Sequence, residues 1–95
     1  MKIRSIRHRA LRRFVERGDE SGLPAAYMMK VAAIVSFLQA APGIDAVRRL
    51  QAWKVHPLTG DRKGTWSLSV SRNWRLTFRI SADGQVTDLD FEDYH

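Results

Sequence analysis

The sequence predicts a single α+β domain over residues 1–95, a twisted and mainly antiparallel sheet with two helices packed on one of its faces. Three observations carry this. Apolar residues recur at helical spacing in two stretches of the first half. They alternate with polar residues at period two through the second half. Turn-forming residues separate the alternating runs. The length suits one modest core rather than two.

Residues 2–6 are short and read as an edge strand. In residues 7–17, Ala10, Leu11, Phe14 and Val15 fall on one side of a helix and Arg9, Arg12 and Arg13 on the other, with Gly18 in the stop position. Residues 24–40 form the clearest helix. Pro24 suits its first turn, Tyr27, Val31, Ile34 and Leu38 form one stripe, and Pro42 and Gly43 end it. Met29, Ala33 and Phe37 form a second apolar stripe. A helix that is apolar nearly all round is covered on two sides. The sheet is one cover; the other is either the first helix or a partner protein, for which these three residues are the candidate contact.

Four strands follow. Residues 52–57 alternate Trp53 and Val55 with Lys54 and His56. Residues 66–71 alternate large apolar side chains with serines, and 74–80 alternate them with arginines and a threonine. The short link at 71–73 makes these last two a hairpin. Asp83-Gly84 marks a second tight turn, and 86–91 return as the final strand. The expected order is β-α-α-β-β-β-β.

Alternation also sorts residues by face. Trp53, Val55, Trp66, Leu68, Val70, Trp74, Leu76, Phe78, Ile80, Leu89 and Phe91 belong to the core. Lys54, His56, Ser67, Ser69, Arg75, Thr77 and Arg79 belong to the open face, which therefore carries cations and a histidine around a floor of small hydroxyls. The loop 56–63 adds Arg62 and Lys63 beside it. Such a floor admits a bulky chain, and the cations suit phosphate.

Composition narrows the function classes. Hydrophobic residues at 44% and charged residues at 27% fit a folded, soluble chain. No apolar run is long enough to span a membrane, and no apolar segment follows the basic N-terminus as a secretory signal would require. The absence of cysteine excludes disulfides, thiolate catalysis and thiolate-bound metals. His8, His56 and His95 lack metal-ligand spacing, and Gly60 and Gly64 do not match a phosphate-binding P-loop, so neither a metal nor another cofactor is expected. The net charge of +6 favours a polyanion, nucleic acid ahead of membrane. Charge is also segregated. Lys2, Arg4, Arg7, Arg9, Arg12, Arg13 and Arg17 crowd the start against Glu16 alone, whereas Asp83, Asp88, Asp90, Glu92 and Asp93 crowd the end.

Four segments in order resemble one family across nearly the whole chain. They are Ile3-Arg4-Ser5 through Leu11; His56-Pro57-Leu58-Thr59-Gly60-Asp61-Arg62-Lys63-Gly64-Thr65-Trp66-Ser67; Asn73-Trp74-Arg75-Leu76-Thr77-Phe78; and Asp90-Phe91-Glu92-Asp93-Tyr94-His95. The sequence is similar to the RelE-superfamily toxins, in the HigB branch of plasmid-maintenance killer proteins. The resemblance implies a compact RelE-like fold and a cytoplasmic endoribonuclease that cuts messenger RNA on the ribosome. It further implies a HigA-like helix-turn-helix antitoxin, operator DNA bound only through the toxin–antitoxin complex, and no membrane.

Carried over by position, the resemblance implies catalytic roles for His56, Arg75, Asp93, Tyr94 and His95. RNA contacts then fall to Lys54, Arg62, Lys63, Arg72 and Arg79. Thr59 stands where the branch carries lysine, so Arg62, Lys63 or Arg72 would have to replace that cation. RNA brings its own nucleophile, the 2′-hydroxyl, and needs a base, an acid and charge stabilisation. Histidine suits both proton roles, leaving His56 and His95 interchangeable as base and acid at this point. The alternative reading is a non-catalytic RNA- or ribosome-binding regulator, which shares the basic face and would leave RNA uncut.

Overall fold

The computed structural model describes residues 1–93. Three helices, α1 (Arg9–Arg17), α2 (Met28–Ala40) and α3 (Ile44–Arg48), precede four strands, β1 (His56–Pro57), β2 (Thr65–Ser69), β3 (Trp74–Ile80) and β4 (Val86–Asp93). The strands lie in the sheet in chain order, each antiparallel to the next. The α+β architecture expected from the sequence is the one observed.

The chain enters along the free edge of β4. Ile3 and Ile6 bridge Val86 and Leu89 in parallel, through hydrogen bonds from Arg4 N to Val86 O (2.8 Å) and Arg7 N to Leu89 O (2.7 Å). The edge segment is thus present as two bridges rather than a continuous strand. Between them β4 is irregular. Asp88 is held at φ 53, its amide donates to Ser5 Oγ (2.8 Å), and the β3–β4 register slips between Thr77 and Arg79.

Helix α1 begins at Arg9, two residues later than the expected start at residue 7, because His8 is its cap. The His8 backbone is extended and its Nδ1 accepts from Leu11 N at 3.2 Å. Gly18 closes the helix in the left-handed conformation (φ 72), as a glycine after the last turn does. Before α2, residues 25–27 form one 3₁₀ turn. Val31, Ile34 and Leu38 are buried as the first stripe requires, joined by Met28 and Val35. The Met1 ammonium donates to the carbonyls of Leu38, Gln39 and Ala41, placing a positive charge at the C-terminal end of α2.

Two features correct the sequence expectation. Helix α3 is an additional element, too short to show a periodic pattern, yet its Val47 is fully buried. And residues 52–57 are not a strand throughout. Residues 51–53 make a 3₁₀ turn, Lys54 is left-handed (φ 50, ψ 48), and only His56–Pro57 pair with β2. The turn lets Trp53 meet Phe37 edge-on, with ring centroids 5.7 Å apart. That contact also gives one member of the second α2 stripe an intramolecular cover.

The core lies between the helices and one sheet face, with Leu11, Ile34, Leu38, Val47, Leu68, Leu76, Phe78, Val86 and Leu89 shut off from solvent. Trp66 and Trp74 sit at its margin. Trp74 stacks on Phe91 (4.6 Å), and the Arg48 guanidinium lies 5.5 Å from the Trp66 ring.

Candidate active site

The register places the open-face residues in rows across the sheet. His56, Ser67, Thr77 and Asp90 form one row, and Ser69, Arg75 and Glu92 the next. Strands lie about 4.8 Å apart and same-face residues on one strand about 7 Å apart, so the two rows are about 7 Å apart and the longer one runs about 14 Å across the sheet. Ser67 and Thr77 are only 2% and 1% exposed. The floor is thus packed beneath the longer side chains around it rather than wet.

A cleft of about 250 Å³ opens over this floor, lined by Lys54, His56, Ser67, Ser69, Ser71, Arg72, Trp74 and Arg75. His56 is exposed to it, and the ring Nδ1 lies 2.8 Å from the Lys54 carbonyl. A carbonyl oxygen only accepts, so Nδ1 carries the proton and Nε2 keeps its lone pair in the neutral ring. The accepting carbonyl belongs to the residue in the left-handed turn. That conformation costs about 1–2 kcal/mol for a residue with a side chain. The far wall is the β2–β3 hairpin. Val70 N and Ser71 N donate to Trp74 O (2.9 and 3.0 Å), and Trp74 N donates to Ser71 Oγ (3.2 Å), which holds exposed Arg72 at the rim.

A second depression, of about 390 Å³, lies farther along the same sheet face. Here Arg62 makes a two-pronged ion pair with Glu92, Nη1 to Oε1 at 3.0 Å and Nη2 to Oε2 at 2.8 Å, and the Thr77 hydroxyl donates to the same carboxylate. The Arg62 guanidinium holds the Glu92 carboxyl below its ordinary range against partial burial, with Thr77 helping. Glu92 in turn raises the pKa of Arg62. Arg79 donates to Thr65 Oγ1 at 3.3 Å and reaches the Lys63 carbonyl at 3.5 Å.

The structure thus brings together His56, Arg75, Lys54 and Arg72 in one cleft and puts Arg62 and Arg79 in the neighbouring one. Lys63 is exposed on the loop before β2. Asp93 ends β4 opposite Trp74, on the other side of the sheet from Arg75. Tyr94 and His95 lie outside the described residues. The role of Glu92 was not anticipated, although alternation with Leu89 and Phe91 already assigns Asp90 and Glu92 to the basic face.

Gly64 shapes this corner. It sits at φ 96, and a Cβ there would come within 2.9 Å of Arg79 Nη2. Gly64→Ala should therefore displace the Arg79 guanidinium and lower stability by about 1–2 kcal/mol, a melting-temperature drop of roughly 4–15 °C for a domain of this size. A drop under about 2 °C would show that the loop rearranges freely.

With the geometry in place, comparison with known proteins gives the fold class. The YafQ crystal structure from E. coli strain BL21(DE3) superposes with a TM-score of 0.57 at 17% identity, covering 97% of this chain and 93% of that one. The YoeB/ParE toxin from Agrobacterium tumefaciens gives 0.56 at 20% identity, covering 100% and 99%. The toxin–antitoxin complex RelBE2 from Mycobacterium tuberculosis gives 0.50 at 25% identity, covering 99% and 96%. The fold is that of the RelE-like bacterial toxins. The model of the HigB-like toxins, described as RelE-like toxins of the type II toxin–antitoxin system HigB, matches residues 4–95. Endoribonuclease HigB of Proteus vulgaris is 39% identical over 93 residues, 98% of this chain and 99% of that protein. The chain belongs to the HigB-like toxin family.

Proposed function

We propose that this protein is the endoribonuclease toxin of a type II toxin–antitoxin pair, and that it cuts messenger RNA being translated on the ribosome. The observation that carries the reading is the cleft. An imidazole with a basic Nε2 stands with Arg75 and Arg72 around a floor of small hydroxyls. His56 Nε2 takes the proton of the 2′-hydroxyl. The 2′-oxygen attacks the adjacent phosphorus, and the bond to the 5′-oxygen breaks, giving a 2′,3′-cyclic phosphate and a 5′-hydroxyl. Arg75 stabilises the charge that builds on the phosphate. His95 returns a proton to the leaving oxygen, Tyr94 stacks on a base or positions the phosphate, and Asp93 orients the tail. Lys54, Arg72, Lys63 and Arg79 hold the flanking phosphates, with Arg72 or Lys63 standing in for the lysine absent at Thr59. The ribosome supplies the strand already bent for in-line attack.

The partner is a HigA-like helix-turn-helix antitoxin, and operator DNA is met only through the complex with it. Its seat includes Met29, Ala33 and the outer edge of Phe37. Met29 is 90% exposed, and exposed Ala33 lies one turn along the same helix. The cytoplasm is the place of action, and among the described residues no helix is long and apolar enough to cross a membrane.

Inducible expression in bacterial cells with mapping of RNA 5′ ends tests the reading. Growth arrest with new 5′-hydroxyl ends inside translated frames, and no cutting of purified RNA unless ribosomes are added, is expected. Arrest without new ends would replace the ribonuclease with the binding regulator.

A further inference from the structure

We infer that the outward face of α1 is a second RNA-binding surface, one that grips the phosphate backbone of a folded RNA rather than the strand being cut. The inference rests on the reading that the protein acts on RNA. It is carried by charges that the proposed chemistry does not use. Arg9, Arg12, Arg13 and Arg17 are all exposed, and they line a depression of about 320 Å³ in which Glu16 is the single acid. At offsets of three, four and eight residues they occupy one side of the helix. Neighbours stand about 5–6 Å apart, and the row is about 12 Å long.

The fold gains little from this row: Arg13 and Arg17 attract the Asp19 carboxylate just past the helix, but its pKa is lowered chiefly by hydrogen bonds from Ser21. Arg9 with Arg13, and Arg13 with Arg17, are like charges one turn apart, which destabilises a helix. None of the four makes an ion pair within 4.0 Å among the described residues, unlike Arg48 with Asp45 and Arg62 with Glu92. What holds α1 in place is elsewhere: buried Leu11, the His8 cap and the Gly18 stop.

The row also stands apart from the cleft. Leu11 is in the core and the His8 ring meets Phe91 edge-on at 5.7 Å, so α1 covers the helix side of the sheet. His56 and Arg75 open on the other side. One short strand cannot occupy both, whereas a large folded RNA carrying the cleaved strand can. A rigid row of guanidinium groups matches phosphates fixed in a helix better than a flexible acidic peptide. A membrane surface is the poorer fit, because the apolar side chains of α1 are turned inward.

The test uses the full chain and a variant with Arg9, Arg12, Arg13 and Arg17 all replaced by glutamine. The probes are a fluorescent RNA hairpin with a fully paired stem and a short single-stranded RNA bearing 2′-deoxy residues so that it is not cut. The variant should bind the hairpin at least tenfold more weakly at about 0.1 M salt, with the slope of log affinity against log salt shallower by about 2–3. Its affinity for the single strand should stay within twofold, and His56→Ala should leave hairpin binding untouched. Removal of like charges should leave the melting temperature unchanged or raise it. Equal hairpin binding by wild type and variant would overturn the inference, as would equal losses for the hairpin and the single strand. If hairpin binding depends on α1 while expression produces no new RNA ends, the α1 surface stands and the ribonuclease reading falls. The reverse pattern sinks only the α1 surface.

Discussion

Replacing His56 by alanine should lower the rate of RNA cutting by about 10²–10⁴-fold, the range a positioned general base contributes. Its fold should be unaffected. The side chain is exposed, and its bond to Lys54 O is replaced by water. His56→Gln sharpens the result. The glutamine amide can donate to the Lys54 carbonyl, as Nδ1 does, but offers no basic nitrogen to the 2′-hydroxyl. If His56 acts as the base, glutamine fails as badly as alanine. If it only fills the cleft or holds the Lys54 turn, glutamine restores most of the rate. Single-turnover cutting on programmed ribosomes, with melting temperatures of all three proteins, separates these cases. An alanine variant within threefold of wild type would remove His56 from the chemistry. The same assay on a chain lacking Tyr94 and His95 asks whether the acid comes from the tail.

The sequence makes some of this legible because period-two alternation is a strong signal where one sheet face is buried. Trp66 to Val70 and Trp74 to Ile80 sort by counting, and the sorting puts His56, Ser67, Ser69 and Arg75 together. Alternation misled at residues 52–55, where the same apolar-polar pattern is produced by a turn. Trp53 is apolar because it meets Phe37, not because it points out of a strand. Helix α3 gave no periodic signal because five residues complete little more than one turn. The slip at Asp88 is set by the chain crossing β4 at Ser5, a contact between residues eighty-three apart that no local pattern encodes. The pairing of Arg62 with Glu92 has the same origin. Both residues were visible as charges, but the loop geometry that joins them was not.

That pair supplies the other large effect. Arg62→Met should destabilise the protein by about 1–3 kcal/mol at neutral pH, between the small effect of an exposed pair and the larger one of a buried pair. The side chains of Arg62 and Glu92 are 39% and 23% exposed, which places them between those limits. The loss should depend on pH, and the sign is fixed by Glu92. Its carboxyl is held below the ordinary value of 4.5 in the folded chain, chiefly by Arg62. The stability it contributes is therefore fully present above about pH 4.5 and fades as pH falls through the lower folded value. Wild type and Arg62→Met should differ most near pH 7 and converge as the pH is taken down through the lowered Glu92 value, as followed by urea unfolding at each pH. Glu92→Gln should flatten the same acid-side slope while keeping a hydrogen bond to Arg62. A gap between wild type and Arg62→Met that stays constant as Glu92 is protonated would mean that Arg62 acts through packing of its stem rather than through the carboxylate. The pair also ties the loop after His56 to the strand that leads into Tyr94 and His95. If those two residues deliver the acid, Arg62→Met should slow cutting even well below its melting temperature, whereas a merely structural pair would leave the folded fraction fully active.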